Sequence, residues 1–277
     1  MGLDSRALYI VATPIGNLED ITFRAVRVLR ECDAIACEDT RQTRKLLDHF
    51  GISSKPLLSY HEHNEAARTA DLLARLEGGA SIALVTDAGT PLVSDPGYRV
   101  VAAAIAAGIP VVPIPGPSAA LAALAAAGLA TDSFRFCGFL PPKSSQRRKM
   151  LEQHARESCT LIFYEAPHRI LDALEDVSAV LGSRPVVVAR EVTKLHEEFL
   201  RGTVEEVRAQ LESRPSVKGE ITLLIGKADA PPVDTTVSAE DAVRALEADG
   251  ASRMEAIKRV ARERGLGKRD LYRDLTK

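Results

Sequence analysis

The sequence predicts an α/β fold whose first part is a doubly wound parallel sheet. Five apolar runs of strand length alternate with helical segments between residues 8 and 127, an order typical of parallel sheets. Each run ends in a polar or Gly/Pro-rich segment. Because parallel strands end at one edge of their sheet, and ligands bind at that edge in open α/β sheets, we expect a binding site there.

The elements of this first part follow in a regular order. Strands are predicted at residues 8–12, 33–37, 57–60, 82–86 and 110–114. After the first strand, Asn17 and Asp20 are predicted to cap a helix. Further helices are predicted at residues 41–50, in the segment ending at residue 76, at 98–107 and at 119–127. Gly51 ends the first of these helices.

The most distinctive loop follows the fourth strand, in the stretch SIALVTDAGTPLVSDPG at residues 81–97. Pro91 and Pro96 each fix one φ angle, and the glycines allow backbone shapes that other residues resist. Ordinary strand-to-helix loops have only about 2–6 residues. We therefore interpret this loop as the wall of a binding site. The alternative is a tight turn in which Asp87 or Asp95 caps the next helix.

Beyond residue 133 the strands stand closer together, which predicts a mixed sheet in a second α/β domain. Strands are predicted at 134–139, 159–164, 185–190 and 221–225, a further segment at 194–203, and helices at 144–157 and 167–181. The predicted division is an N-terminal α/β domain at 1–117, a second at 118–227, a linker at 228–237, and a small basic helical region at 238–277 with three short segments.

Composition limits the class of protein. The chain has 277 residues, of which 45% are hydrophobic and 27% charged, ordinary values for a globular protein. With no leader sequence and no apolar run of membrane-spanning length, we expect a cytoplasmic protein that does not contact membranes. The four cysteines lack CxxC spacing, which favours free thiols. His61 and His63 flank Glu62, but no third ligand is apparent, so no metal site is predicted.

The charge is unevenly distributed. The net charge is −2, yet residues 252–277 carry nine Lys or Arg against four Asp or Glu. This basic tail indicates a polyanionic partner. Aromatic residues make up only 4% and Trp is absent, so base stacking on an aromatic platform is disfavoured.

Several common motifs are missing from the sequence. There is no GxGxxG after the first strand, and no GxxxxGK[ST], HExxH or GxSxG. Their absence disfavours the usual dinucleotide and P-loop modes of nucleotide binding, zinc hydrolysis and the α/β-hydrolase triad.

Three rigid loops instead follow strands one, four and five, at residues 14–17, 87–91 and 115–118. Each alone could be only a turn. Together, on one sheet edge, they would offer fixed backbone amides and carbonyls. Helix N-termini at Asn17 and Ser118 would add positive dipole ends suited to a carboxylate. The combination favours a cofactor with a carboxylate at one end and an apolar heteroaromatic body.

A set of motifs extends this reading. TPIGN, CEDTRQTRKLL, TDAGTPLVSDPG, PIPGPSA, GFLPPK, FYEAPHR and KGEITLLIG occur in this order across residues 8–226. The set closely resembles the tetrapyrrole-methylase superfamily of S-adenosylmethionine-dependent enzymes, and within it the branch that acts on ribosomal RNA. Where the tetrapyrrole branches carry a glycine-rich GxGxGD-type loop, TPIGN stands here, which argues against a porphyrin-like substrate.

The resemblance implies two α/β domains of the tetrapyrrole-methylase type with S-adenosylmethionine in the cleft between them, in a homodimer. It implies 2′-O-methylation of a cytidine ribose in 16S rRNA of the small ribosomal subunit. The alternatives are a small-molecule methyltransferase of tetrapyrrole type and a non-catalytic RNA-binding protein. The implied cofactor-binding positions are Pro14, Gly16, Asp87, Ala88, Gly89, Ser94, Gly116, Pro117, Ser118, Ala119, Tyr164, Glu165, Ala166, Ile221 and Thr222.

Methyl transfer to a hydroxyl group needs alignment and removal of a proton. A general base adds about 10²–10⁴-fold to the rate, although alignment alone can supply much of the effect. The candidate bases at the strand exits are Glu38, Asp39, Asp87, Glu165 and His61. We prefer Glu38, Asp39 and Glu165 as catalytic residues. Each could instead be a solvated or arginine-paired carboxylate.

Cationic side chains are expected to follow the RNA backbone. The predicted RNA-binding residues are Arg41, Arg44, Lys45, Lys143, Arg147, Arg148, Lys149, Arg169 and Lys194. The alternative for such residues is a solvated helix face. The basic region at 238–277 is interpreted as an RNA-docking accessory, with a packing appendage or dimer contact as alternatives.

Overall fold

The computed structural model of the chain describes residues 3–228, 237–264 and 266–275. Most of the predicted linker at 228–237 lies outside the described residues. The chain divides into two units, Met1–Lys227 and Ala228–Lys277.

The first unit begins with a parallel sheet. Its strands are β1 (Leu8–Val11), β2 (Ala34–Cys37), β3 (Leu57–Ser59), β4 (Ile82–Leu84) and β5 (Val111–Ile114). Their order is β3-β2-β4-β1-β5, and every pairing is parallel. All five strands were predicted, with ends that differ by one or two residues. Because β1 lies between β4 and β5, the loops that follow these three strands are neighbours.

Four helices cover this sheet: α1 (Phe23–Glu31), α2 (Thr40–His49), α3 (Glu65–Glu77) and α4 (Tyr98–Ala106). Leu29 of α1 and Leu47 of α2 are buried on one face, and Leu72 of α3 and Val100 of α4 on the other. Side chains from successive residues of β1 enter the two cores alternately, which is the period of an extended strand buried on both faces.

The second sheet is mixed, as predicted. Its strands are β6 (Phe134–Phe139), β7 (Thr160–Glu165), β8 (Pro185–Arg190), β9 (Glu198–Thr203) and β10 (Ile221–Ile225), in the order β6-β7-β10-β8-β9. Only the β6–β7 pair is parallel. Helix α5 (Ala119–Ala127) packs on one face, and α6 (Ser144–Gln153), α7 (Ile170–Leu181) and α8 (Val204–Glu212) on the other.

Two local details differ from the sequence-based expectations. Asn17 caps a single 3₁₀ turn, Leu18–Asp20, because the chain is extended again at Ile21; Thr22 caps α1 instead. The prediction that Asn17 caps the main helix was therefore wrong. Helix α8 was not predicted, although Thr203 and Glu206 form a capping box at its start, a signal that the sequence carries.

The second unit contains α9 (Ala239–Ala248), α10 (Arg253–Glu263) and α11 (Lys268–Asp274), which confirms the three short helical segments. Val243, Ile257 and Leu271 are buried in its small apolar core. The cysteines are all free thiols, as predicted. Within the described parts of the chain, no helix is both long and apolar enough to cross a membrane.

Candidate active site

Backbone hydrogen bonds join the loops that follow β1, β4 and β5. Thr13 and Gly89 exchange two of them, with N···O distances of 2.9 and 3.1 Å. The Thr13 hydroxyl also donates to the Thr86 carbonyl at 3.0 Å, and the Thr90 hydroxyl donates to the Pro117 carbonyl at 3.0 Å. The three predicted rigid loops therefore form one continuous structure at the carboxyl edge of the sheet.

A cavity of about 440 Å³ lies beside these loops and is lined by residues of both sheets. Its volume is within the range of about 300–1,000 Å³ that is common for small-molecule sites. Phe139 of β6 and Tyr164 of β7 stand edge to face in its wall, with ring centroids 5.5 Å apart. The second sheet thus supplies aromatic surface to the cavity wall.

Strained backbone occurs in two loops of the cavity. Leu92 and Ser94 have φ values of 71° and 66°, and Glu191 and Thr193 have 53° and 70° on either side of Val192. Val192 and Ser94 line the cavity. Positive φ costs about 1–3 kcal/mol in non-glycine residues, and such residues cluster at ligand sites. Strain in both loops marks this cavity as the candidate site.

The structure places most of the cofactor positions that the resemblance implied in the cavity wall. These are Asp87, Ala88, Gly89, Ser94, Ser118, Ala119, Tyr164, Glu165, Ala166, Ile221 and Thr222. The four others do not line the cavity but belong to the loops beside it. Pro14 is buried after Thr13, Gly16 lies under the Lys194 side chain, Gly116 packs on Ala12, and Pro117 accepts the Thr90 bond.

Other lining residues were not among the implied cofactor positions. They are Ile15, Thr86, Thr90, Val93, Asp95, Phe139, Pro167, Val192, Gly219 and Glu220. Phe139 lies in the GFLPPK motif, and Gly219 and Glu220 lie in KGEITLLIG. These motifs could have identified the three residues as part of the site. Val192 carries no signal in the sequence, because only the fold brings its loop to the cavity.

Glu165 is the buried carboxylate at the end of β7, with 2% exposure. Its Oε1 accepts hydrogen bonds from the Ala166 N–H at 2.7 Å and from the Arg169 Nε at 2.9 Å. Its Oε2 is buried and has no partner among the described residues. A buried acceptor without a partner is costly, so this atom is suited to a donor on a bound ligand.

Asp87 and Asp95 line the cavity from the loop after β4. Burial raises the pKa of Asp87, although the hydrogen bond from the Asp39 N–H acts in the opposite direction. Burial also raises the pKa of Asp95 to about 6, and the charges of Glu38 and Asp87 contribute to this rise. The first-sheet side of the cavity is thus acidic, and one carboxyl has a pKa close to neutrality.

One of the three preferred catalytic residues stands in the cavity wall. Glu38 and Asp39 follow β2 and do not line the cavity, whereas Glu165 does. Burial raises the pKa of Glu38. Hydrogen bonds from Arg41 lower the pKa of Asp39 to about 2, and so weak a base does not take a proton efficiently at neutral pH. Of these three carboxylates only Glu165 lines the cavity, and their catalytic role stays a prediction.

Three predicted RNA-binding residues are buried or half-buried and are held in ion pairs within the fold. Arg147 is 3% exposed, and its guanidinium lies 2.7 Å from Asp176, so its assignment to an RNA surface was wrong. Arg169 is paired with Glu165. Lys194 is paired with Glu191 and Glu220, at 2.8 and 3.2 Å. The others are exposed: Arg41, Arg44, Lys45, Lys143, Arg148 and Lys149.

Comparison with known proteins gives a family match. The family model for Tetrapyrrole (Corrin/Porphyrin) Methylases matches residues 7–208. The chain is 51% identical to ribosomal RNA small subunit methyltransferase I of Halalkalibacterium halodurans, over 97% of this chain and 94% of that protein. It is 50% identical to the protein of the same name from a Synechocystis species, over 96% and 95%, and 43% identical to that from Bacillus subtilis, over 97% and 94%.

Solved structures share the fold at lower identity. Uroporphyrin III C-methyl transferase from Thermus thermophilus has a TM-score of 0.56 and 20% identity, over 80% of this chain and 98% of that one. A diphthine synthase has a TM-score of 0.59 and 16% identity, over 79% and 90%. These similarities concern the arrangement of the two sheets.

Proposed function

Because this chain belongs to the tetrapyrrole methylase family, we propose that its cavity binds S-adenosylmethionine for methylation of ribosomal RNA. The proposed reaction is 2′-O-methylation of a cytidine ribose in 16S rRNA of the small ribosomal subunit. The observation that supports the substrate most strongly is identity of 43–51% with relatives named ribosomal RNA small subunit methyltransferase I, over nearly the whole chain.

The cavity residues fit the chemical groups of S-adenosylmethionine. Oε2 of Glu165 is a buried acceptor with no partner in the described part of the chain, suited to a ribose hydroxyl or an amine. The N-terminus of α5 at Ser118 and Ala119 lines the cavity, and helix N-termini favour a carboxylate. Asp87 attracts positive charge, and Phe139 and Tyr164 supply an apolar surface. When bound, the cofactor supplies an electrophilic methyl group.

The protein's own contribution is to hold both reactants. Thr13, Gly89 and Thr90 tie the three loops together, and we expect these bonds to keep the cavity wall fixed when a ligand binds. A fixed wall orients the acceptor hydroxyl toward the methyl group, and such alignment supplies on the order of 7–11 kcal/mol in favourable cases. We retain Glu165 as a binding residue for the cofactor and drop Glu38 and Asp39 as catalytic groups.

RNA is proposed to bind through the exposed cations of the first unit, and the second unit is proposed to assist. Arg41, Arg44, Lys45, Lys143, Arg148 and Lys149 are exposed, as are Lys258, Lys268 and Arg269 of α10 and α11. Phosphate contacts give affinity that depends on salt. Truncation after Gly226 is expected to weaken binding to the small ribosomal subunit and to flatten its salt dependence.

We further propose that the protein acts in the cytoplasm as a homodimer. Phe23 and Leu195 are 97% and 93% exposed, and large apolar side chains in contact with water favour an interface. Light scattering of the purified protein tests the dimer directly.

The function is tested with labelled S-adenosylmethionine and small subunits from cells that lack this protein. We expect one methyl group per particle, which mass mapping assigns to a cytidine ribose. Labelling of a base, or of a tetrapyrrole instead of RNA, contradicts the proposal. S-adenosylhomocysteine should raise the melting temperature while NAD and ATP do not; a protein without this response fits the non-catalytic alternative.

A further inference from the structure

Asp95 is held rigidly in the cavity wall. It lies between Ser94, which has a φ of 66°, and Pro96, so the backbone is constrained on both sides. Asp95 and Thr86 both line the cavity. The Asp95 carboxylate therefore has a well-defined position in the cavity wall.

Its environment differs from that of the other cavity carboxylates. Glu165 is paired with Arg169, Glu220 is largely exposed and paired with Lys194, and Asp87 accepts the Asp39 N–H at 3.1 Å. Asp95 forms no ion pair with any residue that the structure describes. Its basicity is therefore not reduced by a neighbouring cation.

The groups that face Asp95 favour a proton on it. Burial is the main cause that raises its pKa to about 6, and Glu38 at the end of β2 and Asp87 at the end of β4 act in the same direction. Tyr164 of β7 is its neighbour from the second sheet, with a pKa raised by burial and by the Asp95 charge. A base with a pKa near the working pH is mostly ionised and still accepts protons readily.

Methylation of a hydroxyl group by a sulfonium releases a proton. The hydroxyl oxygen forms a bond to the methyl carbon, the carbon–sulfur bond breaks with its electron pair passing to sulfur, and the hydroxyl proton must go to a base. We propose that the Asp95 carboxylate is the catalytic group that accepts this proton. This inference rests on the proposed function and deepens it.

The test is Asp95→Asn in single-turnover methylation of the small ribosomal subunit. We expect methylation at least about 10²-fold slower, with affinity for S-adenosylhomocysteine within about threefold of wild type. The wild-type rate should fall as the pH drops below about 6, because the carboxylate is then protonated. The variant should lack this dependence. A wild-type rate and pH profile in the variant, or a loss of affinity as large as the loss of rate, overturns the proposal.

Two further variants separate chemistry from folding. In Asp95→Ala, added formate should restore part of the rate, because a small carboxylate can occupy the vacated space; no rescue contradicts a base at this position. Glu62→Gln is the matched control. Glu62 is an exposed carboxylate at the same sheet edge and does not line the cavity, so its loss should leave the rate unchanged.

A readout without substrate completes the test. Because the pKa of Asp95 is raised in the folded state, its charge destabilises the fold increasingly as the pH rises from about 4 to about 6. Asp95→Asn should therefore have a higher melting temperature than wild type at pH 7 and lose this advantage at pH 4. An inactive wild-type protein would contradict the proposed function and this inference together, whereas an active one with an unimpaired Asp95→Asn variant contradicts the inference alone.

Discussion

Gly116 and Ala12 are in such close contact that a Cβ atom at Gly116 would lie 2.9 Å from the Cβ of Ala12. Ala12 follows β1 and Gly116 follows β5, and these strands are paired in the sheet. The contact allows the loop after β5 to lie against the end of β1 and places Pro117 in reach of the Thr90 hydroxyl.

Gly116→Ala is expected to lower the free energy of unfolding by about 1–3 kcal/mol, because the added methyl group has no space. The double variant with Ala12→Gly should recover part of that loss. A double-mutant cycle on urea unfolding measures the coupling. If the two changes in the free energy of unfolding simply add, the contact between residues 12 and 116 is not the cause of the loss.

Thr13→Val should cost about 1–3 kcal/mol, because it removes the buried hydroxyl that donates to the Thr86 carbonyl. Thr13→Ser keeps the donor and is the matched control, with a loss of about 1 kcal/mol from the missing methyl group. Calorimetry should also show weaker binding of S-adenosylhomocysteine to the valine variant. Equal stability of the two variants would refute this role of the hydrogen bond.

Glu165→Gln is expected to weaken binding of S-adenosylhomocysteine about 10- to 100-fold, because hydrogen bonds to charged groups contribute about 1.5–3 kcal/mol. Glu175→Gln serves as the control, since Glu175 is an exposed carboxylate on α7 outside the cavity. Titration calorimetry gives both affinities. Unchanged binding by Glu165→Gln would place the cofactor elsewhere.

Arg147 and Lys149 are close in sequence and should behave differently. Arg147→Met leaves Asp176 without one of its two arginine partners, and should cost ~3 kcal/mol of stability with no change in the salt dependence of RNA binding. Lys149→Gln should leave stability intact and reduce the slope of log K against log salt by about 1. Filter binding at several salt concentrations measures the slope. A smaller salt slope for Arg147→Met with unchanged stability would show that Arg147 contacts RNA.

The ion pairs of Glu198 make the free energy of unfolding depend on pH. Hydrogen bonds from Arg214 and Arg190 lower its pKa to about 2, so its ionised form stabilises the fold above about pH 4.5 and this contribution is lost as the pH falls toward 2. After allowance for partial exposure, Glu198→Gln should cost about 1–2 kcal/mol at pH 7 and much less at pH 3. Urea unfolding at the two pH values tests this, with Glu31→Gln, an exposed helix pair with Arg27, as the control. An equal loss at both pH values would exclude the ion pairs as the cause.

The sequence predicted the strands and the meeting of the three loops because both follow from local patterns. Apolar runs ending in Gly/Pro loops specify parallel strands, and the doubly wound rule places their ends together. Strand order is not local. The sheet order places β2 beside β4 rather than beside β1, so Glu38 and Asp39 lie at the correct edge but outside the cavity wall.

The burial of individual polar side chains could not be predicted from the sequence either. Arg147 reads as one of a run of surface cations, and its partner Asp176 stands 29 residues later; only the packing of α6 on α7 brings them together. The sequence indicated Asp95 only as a possible helix cap. The loop enters the cavity because Leu92 and Ser94 have positive φ values, and residue types do not predict these values.

The position of β10 has a consequence for synthesis of the protein. This strand lies between β7 and β8, yet it leaves the ribosome after both of them. Until residues 221–225 arrive, β7 and β8 each have an open backbone edge, and open edges promote association with other chains. A nascent polypeptide halted before residue 221 would therefore need chaperone protection. The methyl-donor pocket, whose wall includes Ile221 and Thr222, is completed only when translation of the first unit is almost finished.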